Sequence, residues 1–348
     1  MRATYHPLVP RGSPGLVSVV IPIFDEEETL PLLFSRLDRL LSELGCKGEV
    51  VLVNDGSSDR SIDLLLARAS VDDRYKVIGL ARNFGHQIAS TAGLEIARGD
   101  AIVLMDADLQ DPPEVVVEMV RKYREGYDVV YARRIAREGD TVFKRVTAWL
   151  FYRLMRSLVH RDLPVDVGDF RLMSRPCLDA LRSMKELHRF LRGMVTWIGF
   201  AQTHVDFVRP ARVAGVTKYP LRKMLLFAWN AAISFSVLPL RLSFLAGLAL
   251  VATAVTYAMY SLWRIFTGAF VVPGWMSLIM VNCLTSGAAM VGMGILGEYV
   301  GRIFEEVKKR PLYITSLTAN VETAGRLGED PSWLSHSFDA RVERPTSG

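Results

Sequence analysis

Residues 101–114 read AIVLMDADLQDPPE, and two acids, Asp106 and Asp108, stand one position apart where a short apolar run ends. In an extended segment, side chains two apart point the same way, so both carboxylates face one point in space. Two anions that close repel each other unless a cation lies between them. A hard divalent ion, Mg2+ or Mn2+, suits such oxygen ligands and shares its remaining positions with substrate phosphates. The competing reading is a capping loop, because Asp111 before a proline pair is a good start signal for a helix near Pro112.

Further chemistry stands at the ends of other apolar runs. Pro22, Phe24, Asp25 and Glu26 close the first, Asp55 lies in NDGSSD at 54–59, and Arg133 and Arg134 close YARR at 131–134. Two adjacent arginines at a strand end suit bidentate phosphate binding, against the plainer reading of a solvated charge pair. Asp55 reads equally as the anchor of an Asx-turn, and Glu26 as compensation of a helix dipole. GDFRL at 168–172 supplies Asp169 and Arg171, while His86 opens a helix and is assigned no role.

The elements that must position these residues follow from hydrophobic periodicity. From residue 16, short apolar runs alternate with amphipathic stretches: LVSVVIPIF, TLPLLFSRLDRLLSEL, EVVLVNDG, SIDLLLARAS, YKVIGLA, IASTAGLEIARG, DAIVLMDAD. This order predicts an α/β fold, a mostly parallel, doubly wound sheet with its site at the carboxyl ends of the strands. The first turn, IPIFDEEE, lacks the glycines that a dinucleotide pyrophosphate needs, and no GxxxxGK[ST] loop occurs. GMGILG at 292–297 lies in an apolar run and reads as small residues for helix packing.

With 348 residues, half of them hydrophobic, and a mean hydropathy of +0.21, the chain exceeds one ordinary soluble domain. Residues 242–263 and 275–297 are uncharged and long enough to cross a bilayer, which predicts two transmembrane helices within 241–298. Residues 221–240 read as an interfacial amphipathic helix, 299–314 as a juxtamembrane segment and 315–348 as a flexible cytosolic tail. KKR at 308–310 follows the second span, whereas the link between the spans carries a single charge, so the chain is expected to be a multi-pass membrane protein with its α/β domain and both termini in the cytoplasm. LVPRGS at 8–13 spells a thrombin-type cleavage site, and residues 1–15 are expected to be a leader or tag outside the fold. Cys46, Cys177 and Cys283 show no disulfide or metal spacing. A net charge of +5 without a long basic tract points away from nucleic acid and toward anionic lipid or phosphates.

Taken together, VVIPIFDEEETL, VLVNDGSSD, ARNFGHQIA, DADLQDPPE and GDFRLMSR resemble the family 2 glycosyltransferases of the GT-A (Rossmann-like) fold. More narrowly they resemble the polyprenyl-phosphate glycosyltransferases, over residues 16 to about 310, with the GT-A domain at 16–220. The resemblance implies that Pro22, Phe24, Glu26, Asp55 and Asp106 bind a nucleotide sugar. It makes Asp106, Asp108 and Gln110 the metal and diphosphate ligands, and Arg133, Arg134 and Arg171 the binders of an acceptor phosphate. Asp169 becomes the acid that faces the acceptor, catalytic together with Asp106 and Asp108, and HRFLRG at 188–193 shapes that side. The implied reaction is inverting transfer of a hexose, expected to be glucose from UDP-glucose, to the lipid carrier undecaprenyl phosphate. GDP-mannose and a UDP-aminoarabinose are alternative donors. A polysaccharide synthase is a more distant alternative, disfavoured because QxxRW is missing. Relatives of this kind form oligomers, so a homo-oligomer is expected.

Overall fold

The computed structural model describes residues 8–134, 167–208, 238–267 and 274–321. Its first unit shows how the periodicity becomes structure. Strand β1 (Leu16–Ile23) is buried at all but its first position and β2 (Lys47–Asn54) over its last six, the mark of strands covered on both faces. Between them α1 (Leu30–Glu43) buries Leu30, Leu33, Leu37, Leu40 and Leu41, the spacing of an amphipathic helix. The alternation continues through α2 (Ser61–Val71), β3 (Tyr75–Leu80), α3 (His86–Ile96), β4 (Ala101–Leu104), α4 (Val115–Arg124) and β5 (Val129–Arg134). Then come β6 (Val167–Ser174), α5 (Arg175–Ser183), α6 (Leu191–Ile198), β7 (Gln202–Phe207), α7 (Leu238–Phe266), α8 (Trp275–Val307) and β8 (Thr315–Ala319).

Among the described residues the strands form one sheet in the order β7-β5-β6-β4-β1-β2-β3-β8. The run β4-β1-β2-β3 is parallel, as is the pair β5 and β7, while β6 and β8 enter antiparallel. The expected α/β architecture is therefore present. Because β1 has β2 on one side and β4 on the other, the strand order reverses there, which opens a crevice at the carboxyl ends. Helix α3 lies close over this point. A Cβ on Gly93 would come within 2.4 Å of Val20 and 2.9 Å of Val53, so only glycine lets the helix settle onto β1 and β2.

Three boundaries differ from the sequence expectation. Helix α4 begins at Val115 rather than near Pro112, because Asp111 is drawn into the interior. The segment expected to be a flexible tail from residue 315 instead begins with β8, which pairs from Thr315 to Ala319 with the open edge of β3. Residues 8–15, expected outside the fold, are fixed to it. Arg11 donates to the Asp128 carboxylate at 2.6 Å and lies over the Tyr123 ring at 5.3 Å, and its backbone N–H reaches Arg124 O at 2.8 Å. The expected interfacial helix lies outside the described residues except for 238–240, which already belong to α7.

Helices α7 and α8 belong to a second compact unit, residues 150–161 and 219–310. They contain two stretches long and apolar enough to cross a membrane, Leu240–Arg264 and Met280–Val307, neither of them buried. The first, of 25 residues, rises about 37 Å, more than the roughly 30 Å of a hydrocarbon core. The two helices approach at Gly292, where a Cβ would stand 2.9 Å from Ser243 Oγ, a use of small residues suited to lipid.

Candidate functional site

At the carboxyl ends of β1 and β2 two loops lock onto each other. Asp25 accepts from Ser58 N at 2.7 Å and donates its own N–H to Ser57 Oγ at 3.1 Å. Glu26 N–H donates to Ser61 Oγ at 2.9 Å, and Glu27 exchanges bonds with Arg60 N and Asp59 at 3.0 and 3.1 Å. The Glu26 carboxylate accepts from Thr29 Oγ1 at 2.5 Å. Asp25 holds φ 53° to make this lattice, a strained backbone of the kind found at functional loops. Pro22 is buried in β1. Phe24, 46% exposed, offers a ring face to a planar ligand.

Asp55 is buried and acts on a distant segment. Its two oxygens accept from Phe84 N at 2.7 Å and Gly85 N at 2.9 Å. Burial raises its carboxyl above the ordinary value, and those two amides pull the other way. The Asx-turn here belongs to Asn54, which accepts from Ser57 N at 3.3 Å. Gly85 at φ 97° then turns the chain into α3, and the helix delivers two side chains to the crevice. His86 Nε2 lies 3.4 Å from Asp106 and 3.8 Å from Asp169. Gln87 donates to Asp169 at 3.1 Å and accepts from Leu191 N at 3.0 Å.

The acids follow β4. Burial holds the Asp106 carboxyl above the ordinary range, His86 and Arg134 oppose this, and Asp169 and Asp108 add to it. A third of its side chain nevertheless remains accessible. Asp108 accepts from Gln110 N at 3.1 Å, with Leu109 at φ 59° between them. Asp111 is only 1% exposed, and burial together with Asp106 pushes its carboxyl up to about 7. It accepts from Asp106 N at 3.4 Å and lies 3.9 Å from Arg134. Among the described residues no three His, Cys, Asp or Glu side chains form a ready metal cage. Adjacent carboxylates short of a cage fit a hard divalent ion, which takes one or two protein carboxylates and completes its shell with phosphate oxygens and water.

Asp169, on β6, faces these acids across His86. It accepts from Arg171 at 2.9 Å and from Arg192 at 3.4 Å. Burial alone would raise its carboxyl, but Arg192, Arg171, His86 and Gln87 outweigh burial and hold it at about 2. Asp169 is an anion at every physiological pH.

The expected arginines separate into three fates. Arg171 is fully buried, donates to Gly168 O and Asp169 O at 3.3 and 3.1 Å, and lies over the Tyr131 ring. Closed off from solvent, its guanidinium is committed to Asp169, an arrangement that suits holding that carboxylate better than receiving a phosphate. Arg133 makes a bidentate pair with Asp206 at 2.6 and 2.9 Å on the exposed face of the sheet. That is the charge-pair alternative, and it takes Arg133 out of the site. Strand alternation turns Arg134 the other way, toward Asp111. Arg192, at the start of α6, joins the cluster without having been singled out. Nothing in its spacing marks it beyond being basic in HRFLRG, and Gln87 had no signal except its place beside His86.

The model of the family described as Glycosyl transferase family 2 matches residues 18–182, from β1 into α5. The chain is 46% identical to the uncharacterized glycosyltransferase YkcC of Bacillus subtilis (strain 168), over 88% of this chain and 94% of that protein. It is 37% identical to the prophage bactoprenol glucosyl transferase homolog of Escherichia coli (strain K12), over 86% of this chain and 97% of that protein. The solved glucosyl-3-phosphoglycerate synthase of Mycobacterium tuberculosis matches 63% of this chain and 76% of its own at 18% identity, with a TM-score of 0.47.

Proposed function

The chain belongs to glycosyl transferase family 2, and from that premise we propose that this glycosyltransferase moves glucose from UDP-glucose onto undecaprenyl phosphate, with inversion at the anomeric carbon. The observation that carries the reading is the division of charge along one sheet edge. His86 stands 3.4 Å from Asp106 and 3.8 Å from Asp169, and Asp169 pairs with Arg192. Relatives named for bactoprenol glucosyl transfer match at 37% and 36% identity over nearly their whole length, which supports the polyprenyl acceptor. The two apolar helices would keep such an acceptor within reach, and KKR at 308–310 would keep both chain ends on the cytoplasmic side.

In this reading Phe24 and the interlocked loops of Asp25, Glu26 and Ser57 receive the nucleoside, and Asp55 sets the loop that closes over it. Asp106 and Asp108, with Gln110 beside them, would hold a divalent ion whose charge neutralises the departing diphosphate. Arg134 and Arg192 hold the acceptor phosphate, as guanidinium forks suit phosphate. Its oxygen attacks the anomeric carbon from the face opposite the diphosphate; the new C–O bond forms as the bond to UDP breaks, and UDP leaves with the electron pair. A phosphate monoester, with a second pKa of about 6, arrives largely as the dianion at neutral pH. No proton must be removed, which suits an Asp169 already ionised.

The test incubates the membrane-embedded protein with labelled UDP-glucose, GDP-mannose or a UDP-aminoarabinose plus undecaprenyl phosphate, and counts label in the organic phase. Label from UDP-glucose alone, lost in EDTA, is the expected result. Label from another donor replaces the sugar, and no label in lipid from any donor refutes the acceptor.

A further inference from the structure

The segment after α8 holds both ends of the unit that carries His86 and Gln87. At the root of that unit, Ala81 N–H donates to Ile314 O at 2.9 Å, one residue before the loop that Asp55 captures. At its far end, the Tyr313 hydroxyl, 7% exposed, donates to the Glu95 carboxylate. Burial and Glu95 together raise the Tyr313 hydroxyl well above its ordinary value, so it stays a donor. The segment is fixed beyond these points as well. Ser316 Oγ donates to Gly79 O at 3.0 Å, and Asn320, at φ 56°, donates to Ala69 O and Tyr75 O at 2.7 and 3.0 Å. Leu317 lies so close over Gly79 that a Cβ there would stand 2.8 Å from its Cγ.

Helix α3 is mounted as a lever. It is pressed onto β1 and β2 at Gly93, where no side chain fits. From Gly93 the helix rises about 10 Å to His86 and about 3 Å to Glu95. A displacement at Glu95 is therefore multiplied roughly threefold at His86 if the helix turns about its tight contact. Arg182 also grips the far end, donating to Leu94 O, Glu95 O and Ala97 O at 2.6 to 2.9 Å. A misplacement of about 1 Å at reacting groups costs on the order of a hundredfold in rate.

We infer that Tyr313 is a positioning residue for glycosyl transfer, setting through Glu95 and α3 where His86 and Gln87 stand against Asp106 and Asp169. This deepens the reading of the site given above and rests on it. The strap is thus part of the catalytic apparatus, although it follows the second apolar helix and touches none of the reacting groups.

The test compares full-length wild type with Tyr313→Phe and with Gly79→Ala, which pushes Leu317 off β3, each reconstituted in nanodiscs. Two readouts are taken. Hydrogen exchange follows the amides of Phe84, Gly85, Ile88 and Ala89, and initial rates give kcat and the acceptor KM. The expected result for both variants is faster exchange at those amides and a kcat about tenfold lower, with acceptor KM and global Tm little changed. Gly79→Ala combined with Leu317→Ala, which restores the space, should recover both. Exchange altered only within residues 75–80 and 311–320, or unchanged kcat in both variants, would overturn the inference. If the wild type transfers no sugar, the functional reading has failed by itself, and the exchange at Phe84 to Ala89 still decides whether the strap positions α3.

Discussion

Asparagine at position 169 keeps the shape of the side chain and removes its charge, which separates geometry from proton transfer. With its carboxyl at about 2 against an ordinary 3.8, the surrounding groups favour the Asp169 anion by about 2 kcal/mol. The sign follows from linkage: a depressed carboxylate stabilises the fold above its unfolded pKa, and that contribution fades as pH falls from about 4 toward 2. In Asp169→Asn the buried Arg171 loses its counter-ion. Breaking a buried pair costs about 3–5 kcal/mol, and the lower end applies because the amide oxygen still accepts from Arg171. A Tm lower by roughly 5–10 °C is the stability signature expected. In catalysis, an orienting anion that vanishes should lower kcat by about a hundredfold at every pH, with donor affinity unchanged. A general base would behave differently, because the Asp169→Asn rate would climb between about pH 6 and 8 as the acceptor phosphate ionises unaided. A carboxyl at about 2 is poorly matched to take a proton from a group near 6. The assay is kcat against pH for both enzymes, with UDP binding measured in parallel. Recovery of tenfold or more in that window refutes the orienting role, and loss of UDP affinity in step with rate moves Asp169 into the nucleotide site.

Arg134→Ala and Arg192→Ala should each raise the KM for the lipid phosphate, by about 10- to 100-fold if a charge-assisted bond of about 1.5–3 kcal/mol is lost. Arg133→Ala should stay near wild type, since its guanidinium serves Asp206; equal effects at all three positions would contradict the division. Near the amino end of β2, buried Glu49 accepts from Ser18 Oγ at 2.5 Å and Arg98 N at 2.7 Å and pairs with Lys76. Burial raises its carboxyl, but these partners outweigh burial and leave it lowered, so its stabilisation is present above an unfolded pKa of about 4.3 and is lost as pH falls through the folded value. Glu49→Gln should cost about 3 kcal/mol at neutral pH and then lose less than wild type on acidification, and parallel Tm-against-pH curves would exclude this. In a variant without native cysteines, a cysteine at position 268 should react with an impermeant thiol reagent from outside the cell, and one at position 328 should not. Labelling of both from one side would rule out two spans.

The positions of Asp25, Asp55 and Asp106 at one edge were legible because an apolar run tells where a buried strand stops, and open α/β sheets bind at their carboxyl ends. What each residue does there was less legible, because the deciding partners are remote in sequence. Asp55 accepts from amides 29 and 30 residues away. Asp206, 73 residues on, claims Arg133 and so fixes which of two adjacent arginines is left for the site. β8, with the weakly patterned sequence TSLTA, is a strand only because the edge of β3 awaits it.

The same remote pairings produce an asymmetry that no local pattern contains. Arg171 and Arg192 are both committed to the single anion of Asp169. Among the described residues, Asp106 lies 3.4 Å from His86 and Asp111 lies 3.9 Å from Arg134. Like-charged carboxyls here push one another upward: Asp169 and Asp108 raise Asp106, and Asp106 raises Asp111. A divalent cation would relieve that mutual repulsion, whereas an anionic acceptor would be drawn to the guanidiniums of Arg134 and Arg192. Binding order follows from the electrostatics. A nucleotide sugar arriving without a cation would bring its diphosphate against Asp106 and Asp108, so donor affinity should rise steeply with divalent ion, while acceptor affinity should respond to it weakly.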